Sequence, residues 1–109
     1  MERRQRRHPR FRCNFPVVVT VLSGDDYKQL DAHGKDLSEA GIGMLVASEL
    51  TIGEVFSLNF SIPGSSQAWD VRAVLRHRRG YHYGFEFLSL PADYQAVVKK
   101  FLAGLERAD

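Results

Sequence analysis

The sequence predicts an all-β fold with one helix, a six-stranded antiparallel β-barrel followed by a C-terminal α-helix. Apolar and polar residues alternate along six short segments separated by turn signals, as strands with one buried face require. After Ser89 the apolar residues change to helical spacing. A closed sheet is favoured over an open one because closure leaves no exposed strand edge.

The N-terminal half carries three predicted strands. The first covers residues 13–22, and a turn at residues 23–26 leads into a weaker strand over residues 27–35. Residues 36–41 are expected to form a structured loop, because Asp and Ser bond to nearby backbone and Gly adopts geometry closed to other residues. A third strand follows over residues 42–47.

The C-terminal half carries the other three strands. Residues 56–62 show the cleanest alternation, and residues 69–76 and 81–87 read as a hairpin that turns at Arg79 and Gly80. Trp69 begins the apolar face of its strand, so it is expected in the core rather than on the surface as a stacking platform.

One amphipathic helix is predicted at the end of the chain, with Pro91 in its first turn. Its apolar residues at helical spacing are Tyr94, Val97, Val98, Phe101, Leu102 and Leu105.

Length and composition indicate one soluble domain. The chain has 109 residues, of which 44% are hydrophobic and 26% charged. It begins with arginines and has no apolar run near the roughly 20 residues of a membrane span, so we expect a cytoplasmic protein without membrane insertion. The single cysteine, Cys13, excludes an intrachain disulfide and is expected to be a small buried hydrophobe.

Positive charge is concentrated at the N-terminus. Residues 1–12 hold six of the fifteen basic side chains, whereas residues 13–109 carry nine basic and twelve acidic ones, a net charge of −3. Guanidinium groups bind phosphates and the O6/N7 edge of guanine. The chain therefore divides into a flexible basic arm over residues 1–12 that could bind an anionic ligand and a barrel domain over residues 13–109. A solvated basic tail is the alternative.

Asp36, Ser38 and Gly41 form a second candidate cluster. A carboxylate can accept from the N1 and N2 hydrogens of guanine, a hydroxyl can bind a base edge or phosphate, and glycine permits close approach of a flat base. Taken alone, the same residues could simply make a stable turn.

Together, the two clusters resemble the signature of the PilZ domain, which is RxxxR followed by [DN]xSxxG. Arg6 and Arg10 match the first motif, and Asp36, Ser38 and Gly41 match the second some 25 residues later. PilZ domains are receptors for cyclic di-GMP, built on a six-stranded antiparallel barrel with a helix. The resemblance covers nearly the whole chain.

The resemblance implies a role for each matched residue. Arg6 and Arg10 would hold phosphates and guanine edges, assisted by Arg7. Asp36 and Ser38 would hydrogen-bond a guanine, and Gly41 would make room for it. Arg3 and Arg7 also fit RxxxR. The resemblance favours Arg6 and Arg10, because the second arginine of the family typically runs directly into the first strand, as Arg10-Phe11 does here.

The resulting expectation is a receptor or adaptor whose basic arm closes over cyclic di-GMP and changes the surface offered to a protein partner. One alternative is a small barrel that binds single-stranded nucleic acid, although the net charge of residues 13–109 argues against it. Another is a PilZ-like adaptor that binds only protein.

No catalytic role or cofactor is expected. The sequence lacks a recognisable nucleophile–base set or phosphate-binding loop. His77 and His82 flank the predicted hairpin turn, but no carboxylate or thiolate is apparent beside them, so we expect no metal site.

Overall fold

The computed structural model describes residues 9–22, 28–65 and 67–104. Within these ranges it contains six strands and one helix: β1 (Phe11–Val21), β2 (Lys28–Leu37), β3 (Gly41–Val46), β4 (Val55–Ser61), β5 (Ala68–Arg79), β6 (His82–Ser89) and α1 (Ala92–Leu102). All neighbouring strands are antiparallel, and they close into a barrel in the order β1-β2-β3-β6-β5-β4. The predicted fold class is confirmed.

The strand ends differ from the prediction by one to three residues, with β5 running to Arg79 and the hairpin turn at residues 80–81, and two differences concern the predicted site. β1 begins at Phe11 rather than at residue 13, so the last two residues assigned to the basic arm pair with strand β2. The prediction of a loop over residues 36–41 is wrong at both ends, because β2 continues to Leu37 and β3 begins at Gly41. The connection is therefore only residues 38–40.

Inward-facing apolar side chains from all six strands form one core. Its largest fully buried members are Tyr83, Tyr94, Phe56, Leu37, Ile42, Met44, Leu58, Ile62, Leu75, Val17, Val19 and Val46. Trp69 is 4% exposed, which confirms its predicted place in the core. Cys13 packs against this core but is only half-buried.

Helix α1 covers one end of the barrel. Tyr94 stacks edge-on against Trp69 with ring centroids 4.9 Å apart, and it also contacts Phe60 and Phe87 near the ends of β4 and β6. Val98 is buried on the same helix face, as the helical spacing predicted. Within the described ranges, no helix is long and apolar enough to cross a membrane.

Candidate functional site

Two β-bulges turn the side chains of Asp36 and His77 to the outer surface of the barrel. Ala32 faces inward on β2 and Leu75 faces inward on β5, so strict alternation would turn Asp36 and His77 inward as well. The strand register shifts between Gly34 and Asp36 and between Leu75 and His77. Each extra residue reverses the alternation, which is a common way for a bulge to redirect a side chain.

Cross-strand pairing places these residues in one row over five strands. Arg12 of β1 is opposite Asp36 of β2, Asp36 is opposite Gly43 of β3, Gly43 is opposite Gly84 of β6, and Gly84 is opposite His77 of β5. The backbones of Asp36 and His77 are three ladder steps apart, or about 14 Å. The two glycines between them form a floor without side chains.

The side chains of Asp36 and His77 lie over the two glycines of this floor. A Cβ atom on Gly43 would collide with the Asp36 carboxylate, and a Cβ atom on Gly84 would collide with the His77 ring. Both side chains therefore lie flat against the outer face of the sheet, over the glycines. Any larger residue at either position would push the functional group out of the row.

Arg10, which immediately precedes β1, bridges Asp36 and His77, the two residues that flank the glycine floor. Its Nη1 lies 3.5 Å from Asp36 Oδ1, and its Nη2 lies 3.5 Å from His77 Nε2. The side chains of Arg10 and Asp36 are 21% and 14% exposed, so this ion pair is partly shielded from water. A shielded pair is screened less by salt than a surface pair.

Asp36 keeps unused capacity to accept hydrogen bonds. Its Oδ2 lies 3.4 Å from His82 Nε2. Its Oδ1 is buried, and although it forms the ion pair with Arg10, it has no partner of hydrogen-bond geometry among the described residues. A buried acceptor without a hydrogen bond costs about 1–3 kcal/mol. A ligand that donates to this oxygen would recover part of that cost.

Ser38 and Gly41 build the turn beside Asp36. The Ser38 hydroxyl accepts from the backbone N–H groups of Ala40 and Gly41, each at 3.1 Å, and Ser38 N donates to the Gly41 carbonyl at 2.9 Å. A Cβ atom on Gly41 would collide with the Phe85 carbonyl of β6. These two residues thus hold β3 close to β6 and fix the end of β2.

The turn is also tied to two other elements. Phe87 N donates to the Ala40 carbonyl at 2.8 Å, which joins the turn to β6. Glu39 forms an ion pair with Lys99 of α1 at 3.8 Å. A displacement of the turn would therefore disturb its contacts with both β6 and α1.

The charge of Asp36 also affects the pKa of the Cys13 thiol. Burial raises the pKa of the Cys13 thiol to about 12, with a further contribution from Asp36 and an opposing one from Lys35. The thiol is consequently protonated at ordinary pH and acts as an apolar group.

The structure brings together part of the predicted site. Arg10 contacts Asp36, and Ser38 contacts Gly41, three residues further along the chain. Arg6 and Arg7 lie outside the described residues, as does Arg3 of the alternative register.

Sequence reasoning missed the contribution of the C-terminal hairpin. No pattern in the sequence placed a carboxylate near His77 and His82, whereas the structure places Asp36 beside His82. The described residues nevertheless contain no group of three or more metal-ligating side chains. The outward position of His82 and Gly84 follows from the alternation in β6, whereas that of His77 depends on a bulge that the sequence does not mark.

Fold and site together define a small closed β-barrel with an arginine–aspartate pair on its outer face. The family model of the PilZ domain matches residues 4–104. The chain belongs to the PilZ domain family.

The chain is also similar to individual proteins in sequence and in fold. An uncharacterized protein of Aquifex aeolicus (strain VF5) is 26% identical over 103 residues, which are 90% of this chain and 48% of that protein. The chain thus spans about half the length of this relative. The fold is similar to the Bacillus subtilis inhibitor of motility MotI/DgrA, with a TM-score of 0.75, 14% identity and coverage of 94% of this chain and 52% of that one.

The fold is also similar to the PilZ domain of YcgR from Escherichia coli, whose structure was determined with c-di-GMP. The TM-score is 0.70 at 20% identity, with coverage of 94% of this chain and 92% of that domain. At these identities, the two structural likenesses concern the fold alone.

Proposed function

We propose that this protein is a cyclic di-GMP receptor of the PilZ type that acts as an adaptor, without catalysis. The observation that carries the proposal is the half-buried Arg10–Asp36 pair over the glycine floor, with one carboxylate oxygen that accepts no hydrogen bond from the residues that the structure describes. The PilZ domain of YcgR, which binds c-di-GMP, supports the choice of ligand.

The chemistry of the pair suits a guanine nucleotide. The Asp36 carboxylate accepts from guanine N1–H and N2–H, and Arg10 donates to phosphate oxygens or to the O6/N7 edge. Arg6 and Arg7 supply further guanidinium groups to the phosphates. Ser38 and Gly41 contribute by fixing the turn that carries the backbone of Asp36.

Binding requires a change of partner at Arg10. In the free protein Arg10 lies beside Asp36, whereas the ligand presents phosphates to the arginine and a base edge to the carboxylate. The basic arm then closes over the ligand, and each residue that closure fixes costs about 1–2 kcal/mol. Closure alters the surface next to β1 that a protein partner would contact.

Isothermal titration with cyclic di-GMP tests the proposal, with GTP, cyclic di-AMP and a short single-stranded oligonucleotide as competitors. We expect saturable binding that is selective for cyclic di-GMP. Arg10→Ala and Asp36→Ala should each weaken it by about 10- to 100-fold, the effect of losing a charge-assisted hydrogen bond. Arg72→Ala is the matched control, because Arg72 is exposed on β5 opposite Ser57 and Ser89, away from the row.

Two outcomes would reject the proposal. Preference for the oligonucleotide, with affinity that falls steeply with salt, would identify a nucleic-acid-binding barrel. Absence of binding by protein whose fold is verified by circular dichroism would leave an adaptor that binds only protein.

A further inference from the structure

Four side chains from four parts of the chain form one line of polar contacts. His77 Nε2 lies 3.5 Å from Arg10 Nη2, Arg10 Nη1 lies 3.5 Å from Asp36 Oδ1, and Asp36 Oδ2 lies 3.4 Å from His82 Nε2. The two inner members are the proposed ligand contacts. The two outer members are histidines of the C-terminal hairpin, outside both sequence motifs.

We infer that His77 and His82 are positioning residues, in which His77 orients the Arg10 guanidinium and His82 orients the Asp36 carboxylate for ligand binding. This inference rests on the proposed function. It extends the site from the N-terminal arm and the β2–β3 turn to strands β5 and β6.

The partners assign opposite protonation states to the two Nε2 atoms. A guanidinium group has donors only, so His77 Nε2 must carry a lone pair and its proton must be on Nδ1. A carboxylate is an acceptor only, so His82 Nε2 must carry a proton. Two histidines of one hairpin are thus held as different tautomers by the charges that they face.

Each ring lies beside its charged partner. The exposed His77 ring lies over Gly84, where any side chain would collide with it. His82 is opposite Leu45 of β3 and 35% exposed, with its ring directed to Asp36. A contact that restricts the rotamers of the charged partner before the ligand arrives reduces the entropy that binding would otherwise cost.

The tautomers can be measured without ligand. We propose long-range ¹H–¹⁵N correlation spectra of the histidine-labelled full chain, recorded well above the usual histidine pKa of about 6.5, with assignment by single His→Gln variants. His77 should show its proton on Nδ1 and His82 on Nε2. A proton on His77 Nε2, or a bare His82 Nε2, would overturn the inference.

A double-mutant cycle separates positioning from a structural role. His77→Leu should weaken cyclic di-GMP binding by about 3- to 10-fold, the value of one hydrogen bond, and His77→Gln, which keeps an acceptor, should recover most of the loss. In the Arg10→Ala background, His77→Leu should have no further effect. His82→Leu and Asp36→Ala should behave in the same way.

His33→Leu is the control, because His33 is exposed on the outer face of β2 and should bind like the parent. Equal effects of His77→Leu with and without Arg10 would mean that His77 acts independently of the arginine and would refute its positioning role. If the parent itself does not bind cyclic di-GMP, the proposed function fails and the ligand role of both histidines fails with it. The tautomers would then report only whether the contacts exist.

Discussion

The glycine floor gives a way to disable the site while the barrel stays folded. In Gly43→Ala, the new Cβ would collide with Asp36 Oδ2 and lie 2.8 Å from the carboxylate Cγ. The colliding atoms are the end of a flexible side chain rather than backbone. Asp36 should therefore rotate toward solvent and lose its contacts with Arg10 and His82.

The expected effect on stability is small because two terms oppose each other. Replacing a strand glycine by alanine favours folding by about 0.5–1 kcal/mol through the unfolded chain. Forcing Asp36 into another rotamer costs about 0.5–1.5 kcal/mol. The free energy of unfolding, measured by urea denaturation, should stay within about 1 kcal/mol of the parent.

The expected effect on binding is large. Loss of the charge-assisted hydrogen bonds that Asp36 accepts from guanine corresponds to about 1.5–3 kcal/mol, or roughly 10- to 100-fold in the dissociation constant measured by titration calorimetry. Gly84→Ala is the matched control, since it displaces His77 instead of Asp36 and should weaken binding less. Parent-like affinity in Gly43→Ala would refute the role of Asp36 as placed here, and a loss of stability above about 3 kcal/mol would refute the claim that only the side chain moves.

Three further predictions concern the turn and the interior. Ser38→Ala removes the acceptor of two backbone N–H groups and should lower the free energy of unfolding by about 1–2 kcal/mol, whereas Ser65→Ala, which loses one exposed bond to Gln67, should change it by less than about 0.5 kcal/mol. Gly41→Ala must push β3 away from the Phe85 carbonyl and should cost about 1–3 kcal/mol in the same assay; a neutral result would contradict the close approach of β3 and β6. Cys13, with its pKa raised to about 12, should resist alkylation in the folded protein at mildly alkaline pH and react after unfolding. Fast labelling of the folded protein would contradict the burial of the thiol. Because the folded-state pKa lies above the unfolded value of 9.0, the free energy of unfolding should also fall as pH rises from about 9 toward 12.

Alternation of apolar residues was sufficient to predict the fold. Each strand buries one face against a single core, so its apolar positions repeat with period two, and the change to helical spacing after Ser89 located α1. The extent of the second strand was misjudged because Asp36, Ser38 and Gly41 are typical of a loop. The backbone of Asp36 nevertheless pairs with β1 and β3.

The site could be predicted only where residues are close in sequence or match a motif. The Arg10–Asp36 contact and the turn from Ser38 to Gly41 agree with the residues chosen from the sequence. His77 could not be placed, because the bulge that turns it outward arises from how β5 pairs with β6. Alternation alone would have buried it.

In this row, the bulges bring polar side chains to the outer face of the barrel, and the glycines give those side chains space to lie against the sheet. A charged carboxylate inside a barrel packed with apolar side chains would pay a large desolvation cost, so the bulge in β2 must bring Asp36 to the outer face. On an open outer face, its pairing with Arg10 would be worth little, since exposed ion pairs contribute only about 0–1 kcal/mol. Gly43 resolves this by letting the carboxylate lie against the sheet, where it is 14% exposed. Gly84 likewise leaves space for the His77 ring, which stays exposed, so the placement of both side chains depends on two residues that carry no functional group.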